Sequence, residues 1–504
     1  MSTYEGSSGF YDPLYEYISI DRRWTIEGVD LMDFVNSIEF SRQLYLRQNG
    51  MGCFVFPSST HTRFAHALGA CHLGFIAAER CQVYDADTAT SGSLGDFLRQ
   101  HGWSVVFSLS LLLHDIGHFA FSHTLEGNFG LWSYLKGECK VDRISHEDAT
   151  CSLILGKEAF FRAARRAQIN SGRLKNRVPH VHQVIRDKLP EPKRAENAIC
   201  YLISGHDNYL SGGFSEVEKR QLVVIHEFVS GLLDLDRIDH YRRDVYFSGL
   251  RRGTGLNFRR LLDGITVRYE ETSSNGNGNL ILSGDAFGQA VTLLQVRERL
   301  TYDLFQNPAV LANEAMLNRA VCLYARDKGL SADDVFDLLY WSDEELLLTL
   351  ARSDPAAVRE ITYRILNRIP YAFVDKIDCG DWHPSVTNTN GLAQIIEREI
   401  EEEDGDLLFS LTGPWKWETQ VIPGLPNERV TQAVPSQEWF QHNRVKTVQH
   451  SQVDRDRDVE QLKALRSDST RCLWLFRSEQ PDEQSRSRIM NSVRDRLLAN
   501  AFRA

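Results

Sequence analysis

Histidine is unevenly distributed along this chain of 504 residues. Eight of its 16 histidines lie between positions 61 and 146. They are His61, His66, His72, His101, His114, His118, His123 and His146. Histidine is the commonest metal ligand and the usual general acid or base of enzymes. The segment therefore predicts a site of metal binding or proton transfer, and the elements around it must bring these side chains together.

The strongest local signal is an adjacent His114-Asp115 pair at the end of an apolar run. Side chains of neighbouring helical residues diverge by ~100°, but at a helix end both can reach one ion. The apolar turns before the pair exclude water and fix its position. Upstream, Arg63 and His66 are spaced i,i+3, which places them on one face of a helix. Because a lone His-Asp pair is a weak signal, the other segments matter.

Two further segments supply groups of the same kind. His123 and the pair His146-Glu147 follow the His-Asp motif and can transfer protons. The segment 234–244 reads DLDRIDHYRRD and follows apolar residues, which predicts a helix with Asp236 and His240 on one face. Histidines and carboxylates together make a mixed nitrogen and oxygen site. Such a site suits Mn²⁺, Fe²⁺, Mg²⁺ or Zn²⁺ without selecting one of them.

Helical periodicity dominates the chain up to a predicted hairpin. Apolar residues recur at helical spacing in four segments, and the third is apolar nearly all round and thus central. The four segments are 30–46, 62–80, 104–115 and 222–246. Segments 265–269 and 280–282 flank the sequence TSSNGNGN, whose Asn-Gly pairs predict a β-hairpin. Further helices are expected at 286–305, 309–328 and 331–350.

The last part of the chain differs in character. Residues 397–406 hold seven acidic residues and one arginine, and short β-rich runs follow them. We predict a mainly α protein in which residues 1–385 form a helical core with a small β-hairpin insertion. Residues 386–504 are expected to form a smaller α+β module, for which the sequence indicates no chemistry.

Composition excludes several classes of protein. The chain is 42% apolar and 25% charged, which is typical of a globular protein and not of a collagen-like or disordered one. Its 57 basic and 68 acidic side chains give a net charge of −11, which argues against a basic nucleic-acid coat. The nine cysteines include no C-x-x-C motif, so reduced thiols fit better than a zinc ribbon or a disulfide framework.

The sequence also bears on location. No basic and apolar signal sequence opens the chain, and the longest apolar stretch, 103–113, is too short to span a bilayer. We therefore expect a cytoplasmic protein without a membrane partner. The stretch 157–194 carries 11 Lys or Arg against three acids. It fits a solvated surface loop, and the alternative is a lid that faces phosphate.

Together, the motifs resemble those of the HD-domain metal-dependent phosphohydrolases, whose metal ligands follow the order H…HD…D. Within that group they are most similar to the deoxynucleoside triphosphate triphosphohydrolases of the SAM-and-HD-domain type. The shared segments include HTRFAHALG at 61–69, HDIGH at 114–118, FSH at 121–123 and YDLF at 302–305. The resemblance extends over residues 10–350, and no SAM domain is recognisable before it. It implies an HD-domain helical bundle.

The resemblance implies a role for each motif residue. The metal ligands would be His66, His114, Asp115 and Asp236. His118, His146 and Glu147 would hold a second ion or the attacking water, and His123 would protonate the leaving 5′-oxygen. Arg63 and Arg237 would neutralise the triphosphate, with Arg259 or Arg260 as further candidates. Gln48, His240, Asp244 and Tyr302 would contact the sugar or the base.

Some positions depart from the family pattern. Arg237 stands where a lysine is common and preserves the charge, whereas His240 stands where a tyrosine is common and leaves the nucleoside preference open. Asn36, Ser41 and Leu44 occupy positions that read an activating guanine nucleotide in some members, so we do not expect activation of that kind. The remaining histidines of the crowded segment, His61, His72 and His101, are expected to be surface or packing residues.

The leading hypothesis is a hydrolase that cleaves a dNTP to deoxynucleoside and tripolyphosphate with a bound Mn, Mg, Fe, Co or Zn ion. The alternative among enzymes is an HD-type hydrolase of another nucleotide, such as a monophosphate or a cyclic nucleotide. An alternative of another class is a nucleotide-sensing or nucleic-acid-binding interaction protein on the HD fold. The resemblance also implies a homo-oligomer. Single-stranded nucleic acid is a further candidate partner, but the sequence contains no RNP-like motif that would indicate it.

Overall fold

The computed structural model describes most of the chain between residues 9 and 501. The described ranges are 9–20, 24–126, 131–134, 144–157, 178–231, 233–250, 255–271, 279–378, 407–412 and 472–501. Within these ranges, no helix is both long enough and apolar enough to cross a membrane. The middle of the basic stretch, 158–177, and the predicted hairpin turn, 272–278, lie outside the described residues.

α-Helices make up most of the described structure, as the sequence predicts. They are α1 (Met32–Val35), α2 (Ile38–Arg42), α3 (Arg63–Arg80), α4 (Leu94–His101), α5 (Ser104–Leu113), α6 (Leu131–Tyr134), α7 (His146–Ile154), α8 (Val181–Lys188), α9 (Pro192–Ser204), α10 (Glu216–Val229), α11 (Leu235–Ser248), α12 (Phe258–Asp263), α13 (Gly284–Leu300), α14 (Pro308–Lys328), α15 (Ala332–Leu339), α16 (Asp343–Ala351), α17 (Ala356–Leu366) and α18 (Glu483–Ala501). Most of their buried apolar side chains form one continuous core, which does not include those of α18.

Short helical turns link several of these helices. Single turns lie at Gln43–Tyr45, Gly50–Phe54, Ser122–Glu126 and Asp207–Leu210, and a wider π-helical turn lies at Thr301–Phe305. The single helix expected at 30–46 is divided into α1, α2 and the turn after α2. The division falls at Ser37, whose side chain accepts a hydrogen bond from the Phe40 amide and starts a new helix.

Within the described ranges, four small sheets accompany the helices. Strands β1 (Gly9–Asp12) and β2 (Glu16–Ser19) form one pair, and β3 (Thr25–Ile26) and β4 (Val29–Asp30) form another. A third sheet has the order β6-β5-β7-β8, built from β5 (Gln82–Asp85), β6 (Thr90–Ser93), β7 (Ile265–Tyr269) and β8 (Asn279–Leu282). The predicted hairpin is confirmed as the antiparallel pair β7–β8, with Ile265 opposite Leu282.

The fourth sheet joins strands that are distant in sequence. It has the order β10-β11-β9, with β9 at Ala372–Asp378, β10 at Leu407–Thr412 and β11 at Cys472–Arg477, and both pairings are antiparallel. Strand β9 precedes position 386, where we expect the second domain to begin, and its two partners follow that position. The domain division therefore stays a prediction.

Polar caps fix the starts of the helices that bear the motif residues. The side chains of Thr62, Ser145 and Asp234 accept hydrogen bonds from backbone amides in the first turns of α3, α7 and α11, respectively. Such caps satisfy amides that have no partner within the helix. Helix α5 is almost entirely buried and packs against α3 and α9. The motif residues thus lie at helix ends that surround a central apolar helix.

Gly117 allows the chain after α5 to approach α7. A Cβ atom at this position would lie 2.3 Å from the Thr150 amide nitrogen and 2.4 Å from the His146 carbonyl oxygen. The Gly117 amide donates to Thr150 Oγ1 at 2.9 Å, and that hydroxyl donates to the His114 carbonyl at 2.9 Å. Glycine at this position therefore brings His146 close to the His-Asp motif.

The close approach at Gly117 can be tested by adding a methyl group. We expect Gly117→Ala to lower the free energy of unfolding by about 1–3 kcal/mol, because α7 must move away. Gly288→Ala is the matched control, since a Cβ there meets no atom within 4 Å and α13 is helical. The control is expected to gain up to about 1 kcal/mol. Equal urea midpoints for the two variants would contradict the packing described.

Candidate active site

The four candidate metal ligands converge at the ends of three helices. His66 lies in the first turns of α3, His114 and Asp115 directly follow α5, and Asp236 lies in the first turn of α11. The Nε2 atoms of His66 and His114 are 3.1 Å apart, and Asp236 Oδ1 lies 2.9 Å from the first and 3.5 Å from the second. Asp115 Oδ1 lies 3.5 Å from His114 Nε2, and its Oδ2 lies 3.7 Å from His66 Nε2.

The second nitrogen of each imidazole ring is held by a hydrogen bond. His66 Nδ1 donates to Asp239 Oδ2 at 2.8 Å, and His114 Nδ1 donates to the Leu111 carbonyl at 2.9 Å. In the neutral rings both Nε2 atoms then present lone pairs to each other, which is unfavourable without a cation or a proton between them. This donor set fits a divalent metal ion, with the ring orientations already fixed.

The pKa of His66 reflects the same surroundings. Burial opposes its protonation, but hydrogen bonds to Asp236 and Asp239 outweigh burial and raise the pKa to about 10. Burial likewise opposes protonation of His114, and Asp115 and Asp236 raise its pKa. The pocket therefore strongly favours positive charge where the ligand atoms converge.

Sequence reasoning missed Asp239, which anchors the candidate ligand His66. Arg243 Nε and Nη2 donate to its two oxygens at 2.8 and 2.9 Å, and the Tyr15 hydroxyl donates to Oδ1 at 2.8 Å. Arg243 also donates to Asp12 Oδ2 at 2.7 Å. A Cβ atom at Gly69 would lie 2.3 Å from Asp239 Oδ1, so glycine makes room for this network. The i,i+4 spacing of Asp239 and Arg243 was an available signal.

A second cluster lies beside the first and centres on Glu126. His118 Nδ1 lies 2.5 Å from Glu126 Oε1, while His123 Nδ1 and His146 Nδ1 each lie 3.0 Å from Oε2. The rings of His118 and His146 are stacked with centroids 4.0 Å apart. His118 and Glu126 are both buried, so the contact between His118 Nδ1 and Glu126 Oε1 is shielded from solvent. These polar atoms can accept a water or a second cation.

The two clusters share a carboxylate, so they form one site. Asp115 Oδ1 lies 3.2 Å from His118 Nε2. Burial and the positive charge of Arg63 lower the pKa of His118 to about 4. Burial opposes protonation of His146, but Glu126 outweighs it and raises the pKa of His146 to about 9. At neutral pH the structure thus favours a neutral His118 beside a protonated His146.

Glu147 and His123 lie at the more open side of the second cluster. Glu147 Oε1 lies 3.4 Å from His146 Nε2, and its side chain is partly exposed. The side chain of His123 is 59% exposed, although its Nδ1 is held by Glu126. Glu126 stands three residues after His123 in one helical turn, a spacing that could have identified it from the sequence.

The two arginines assigned to phosphate are both paired with carboxylates. Arg63 is 2% exposed and donates to Asp115 Oδ2 at 2.5 Å and to Ser122 Oγ at 2.8 Å. Arg237 Nη1 lies 3.0 Å from Asp234 Oδ2 and also donates to the Gly231 carbonyl. The further candidates differ in place. Arg260 pairs with Asp285 on the exposed side of α12, and Arg259 lies over the Phe258 ring.

The residues assigned to sugar or base contacts are placed unevenly. His240 lies beside the first cluster, with its ring centroid 5.8 Å from that of His66. Asp244 is fully buried, with His240 Nε2 2.8 Å from Oδ2. Gln48 is 3% exposed, and its Oε1 makes no hydrogen bond among the described residues. Tyr302 is exposed in the π-helical turn whose Phe305 ring lies 6.2 Å from His240.

The other three histidines are not alike. His61 Nε2 hydrogen bonds to Asp244 Oδ1 at 2.8 Å, so this buried ring lies next to the site. The His72 ring packs edge-on against Tyr15 with centroids 5.0 Å apart. His101 accepts a hydrogen bond from Gln221 Nε2 at 3.0 Å.

Comparison with known proteins bears on this geometry. No protein-family model matches the chain. An enzyme of Dictyostelium discoideum, a homologue of deoxynucleoside triphosphate triphosphohydrolase SAMHD1, is 27% identical over 46% of this chain and 36% of its own length. The SAMHD1 enzyme of Bos taurus is 22% identical over 74% of this chain and 58% of its own length. The chain is a distant relative of the HD-domain deoxynucleoside triphosphate triphosphohydrolases.

Two further relatives match more of the chain. The uncharacterized protein MJ1154 of Methanocaldococcus jannaschii is 24% identical over 92% of this chain and 79% of its own length. A crystal structure of a hypothetical protein from Aquifex aeolicus covers 96% of this chain and 99% of its own with a TM-score of 0.56 at 18% identity, which shows a shared fold. The chain spans less than two thirds of the length of the two SAMHD1 relatives, whereas it matches most of the length of MJ1154 and of the Aquifex aeolicus protein, whose names give no activity.

The role of Asp239 in holding His66 predicts a metal-binding defect. We expect Asp239→Asn to weaken divalent metal binding by about 10–100-fold, because an amide holds the ring less strongly and makes Nε2 less basic. Metal content after equilibration with graded chelator measures the effect. Asp263→Asn is the control, since it removes an exposed carboxylate paired with Arg80. Equal metal retention in both variants would show that Asp239 does not support the site.

Glu314 of α14 predicts a pH-dependent stability. It accepts a hydrogen bond from Thr124 Oγ1 at 3.4 Å, and burial raises its pKa from 4.5 to about 7. Since the folded pKa is raised, its contribution to stability is complete below pH 4.5 and is lost as pH rises through 7. Glu314→Gln should therefore be more stable than the parent at pH 8, by up to about 3 kcal/mol, and similar at pH 4.5.

Urea unfolding at the two pH values tests the Glu314 prediction. Exposed Glu345 on α16 provides a matched Glu345→Gln control, for which no such pH-dependent difference is expected. A Glu314→Gln variant that is no more stable than the parent at pH 8 would mean that Glu314 is hydrated.

Proposed function

We propose that the protein is a metal-dependent phosphohydrolase that cleaves a deoxynucleoside triphosphate into a deoxynucleoside and tripolyphosphate. The main support is the convergence of His66, His114, Asp115 and Asp236 beside a second cluster of three histidines and Glu126. The first cluster suits metal binding, and the second suits proton transfer. The distant SAMHD1 relatives support the choice of substrate class.

The first cluster would hold the metal ion. Two imidazole nitrogens and two carboxylates can bind Mn²⁺, Fe²⁺, Co²⁺, Mg²⁺ or Zn²⁺ with little discrimination. A divalent ion supplies Lewis acidity, which makes hydroxide available near neutral pH and offsets charge on phosphoryl oxygens. Asp239 and the Leu111 carbonyl would keep both imidazoles in the ligating orientation.

The second cluster would manage the protons. His123 is the proposed general acid, because Glu126 holds its Nδ1 while the rest of its ring is exposed. Its Nε2 would deliver a proton to the leaving 5′-oxygen of the nucleoside. His118, His146 and Glu147 would orient the attacking water or hold a second ion. A neutral His118, whose Nδ1 faces Glu126, would offer the lone pair of Nε2 on the side of Asp115 for that purpose.

The remaining assignments concern the nucleotide. Arg63 and Arg237 would lie against the phosphates through their planar guanidinium groups. The contacts to the sugar or base would come from Gln48, His240, Asp244 and Tyr302. Asp244 would act through His240, with which it is paired. A homo-oligomeric assembly and binding of single-stranded nucleic acid remain proposals that rest on the family resemblance.

One observation favours a second candidate substrate. Both arginines assigned to the triphosphate are engaged by Asp115 and Asp234, which reduces the positive charge available to a highly charged ligand. A nucleoside monophosphate or a cyclic nucleotide carries less charge and needs fewer cations. An HD-type hydrolase of such a nucleotide is therefore the alternative within the same mechanism.

Product analysis distinguishes these candidates. We expect the purified protein, incubated with single dNTPs and Mn²⁺, Mg²⁺ or Co²⁺, to release deoxynucleoside and tripolyphosphate, because attack occurs at the α-phosphorus. Nucleoside monophosphates, cyclic nucleotides and NTPs are tested in parallel by chromatography. Release of orthophosphate alone from dNTPs, or turnover only of the smaller nucleotides, would exclude the leading proposal.

An active-site variant separates catalysis from binding. Asp115→Asn is expected to reduce turnover by at least about 10³-fold, since Asp115 joins both clusters. Asp263→Asn, which alters only an exposed ion pair, should retain parental activity. If the parent shows no turnover with any nucleotide or metal but binds nucleotide or single-stranded nucleic acid, the interaction-protein alternative is favoured.

A further inference from the structure

Two residues between His118 and His123 have an unusual backbone. Phe121 and Ser122 both lie in the left-handed region, with φ of 57° and 55°. Residues other than glycine rarely adopt this conformation, and bulky residues do so least. Two such residues in succession are rarer still. Such a conformation persists only where surrounding contacts hold it. The turn that begins here, Ser122–Glu126, contains both His123 and Glu126.

One buried carboxylate from a distant helix makes the decisive contact. Asp343, the first residue of α16, is fully buried, and its Oδ1 accepts the Phe121 amide proton at 2.6 Å. Its Oδ2 accepts the Arg47 amide proton at 2.9 Å. Burial raises the pKa of Asp343 to about 6, so at pH 8 the carboxylate is charged and both oxygens accept. Hydrogen bonds from amides to a carboxylate are stronger than neutral ones.

Hydrogen bonds also connect the left-handed turn to the first cluster. Ser122 Oγ donates to the Arg47 carbonyl at 2.7 Å and accepts a hydrogen bond from Arg63 Nε at 2.8 Å. Arg63 in turn donates to Asp115. Ser122 thus links the backbone next to Phe121 to the backbone at Arg47, and Asp343 accepts a hydrogen bond from each of these two segments. No other described carboxylate contacts these two amides.

Steric contact leaves the turn little freedom on its other side. A Cβ atom at Gly50 would lie 2.5 Å from the Phe121 carbonyl oxygen, so the backbone of the turn lies against the chain at Gly50. Loss of the Asp343 contact would let Phe121 relax to a common conformation. Such a relaxation would change the φ and ψ angles of Phe121 and Ser122. The helical turn that follows would then rotate, because these angles set the orientation of each peptide plane relative to the one before it.

We propose that Asp343 is a positioning residue for the hydrolytic reaction: it holds the left-handed turn at Phe121 and Ser122 so that His123 and Glu126 face the metal cluster. The inference rests on the proposed function, and it places a determinant of catalysis on α16, 220 positions after His123 in the sequence. Asp343 acts through His123 and touches neither substrate nor metal.

The proposal predicts a defect in turnover with intact metal binding. Asn at 343 offers one acceptor oxygen, so either the Phe121 or the Arg47 amide loses its partner. We expect Asp343→Asn to lower kcat about 10–100-fold, with KM and metal content changed less than about 3-fold. Glu344→Gln is the matched control, because Glu344 is the adjacent carboxylate and pairs only with the exposed end of Arg47. The control should retain the parental kcat.

A double-mutant cycle separates positioning from general destabilisation. If Asp343 acts through His123, adding Asp343→Asn to His123→Gln should cause no further loss of kcat beyond about 2-fold. Multiplicative losses, or a parental kcat in Asp343→Asn, would overturn the proposal. If Asp343→Asn does not fold, Ser122→Ala takes its place in the same cycle, since it loosens the turn from its other side, and the same outcomes apply.

A measurement without substrate keeps this proposal separate from the proposed function. Hydrogen–deuterium exchange at the Phe121 or the Arg47 amide should be at least about 10-fold faster in Asp343→Asn than in the parent and in Glu344→Gln, because one of these two amides loses its acceptor. If the parent hydrolyses no nucleotide, the proposed function fails and the exchange result still decides whether Asp343 holds the turn. Unchanged exchange would refute that role whatever the activity.

Discussion

The hydrogen bond between His66 Nδ1 and Asp239 is the interaction on which the rest of the site depends. It directs the opposite nitrogen of His66 toward His114, Asp115 and Asp236, whose own positions are fixed by the end of α5 and the start of α11. Because Asp239 is fully buried, Arg243 must accompany it as a counterion, and Gly69 must leave room for both. One ligand orientation thus constrains residues on several elements.

Much of this could be predicted from the sequence, because the ligands lie in motifs whose spacing is local. The apolar run before His114 predicts a buried helix, and the caps at Thr62 and Asp234 start helices at fixed distances before His66 and Asp236. The β7–β8 hairpin was equally local, since Asn-Gly pairs encode the turn. Its parallel pairing with β5 was not predictable, because that contact joins strands about 180 positions apart.

The residues that sequence reasoning missed are hydrogen-bonding partners of the motif segments. Tertiary contacts determine which residues become such partners. Glu126 gains its role because His118 and His146 approach it from different segments, one of them through the close contact at Gly117. Asp343 contacts two backbone amides. Because every residue except proline has such an amide, the residue types at these positions do not indicate the contact. The sequence likewise favoured a bystander role for His61, whereas the fold places it against Asp244.

The charges of the site indicate that a cation would be central to the proposed action on a nucleotide. Asp115 and Asp236 face the metal cluster, and Glu126 and Glu147 face the second, while Arg63 is already paired with Asp115. His146, and His66 when no metal ion is bound, add positive charge at neutral pH. These charges face the carboxylates of the two clusters, so a divalent ion would be needed to add positive charge between those carboxylates and phosphoryl oxygens. If the site binds both a metal ion and a nucleotide as proposed, the two are thermodynamically coupled: each must increase the affinity for the other by the same factor.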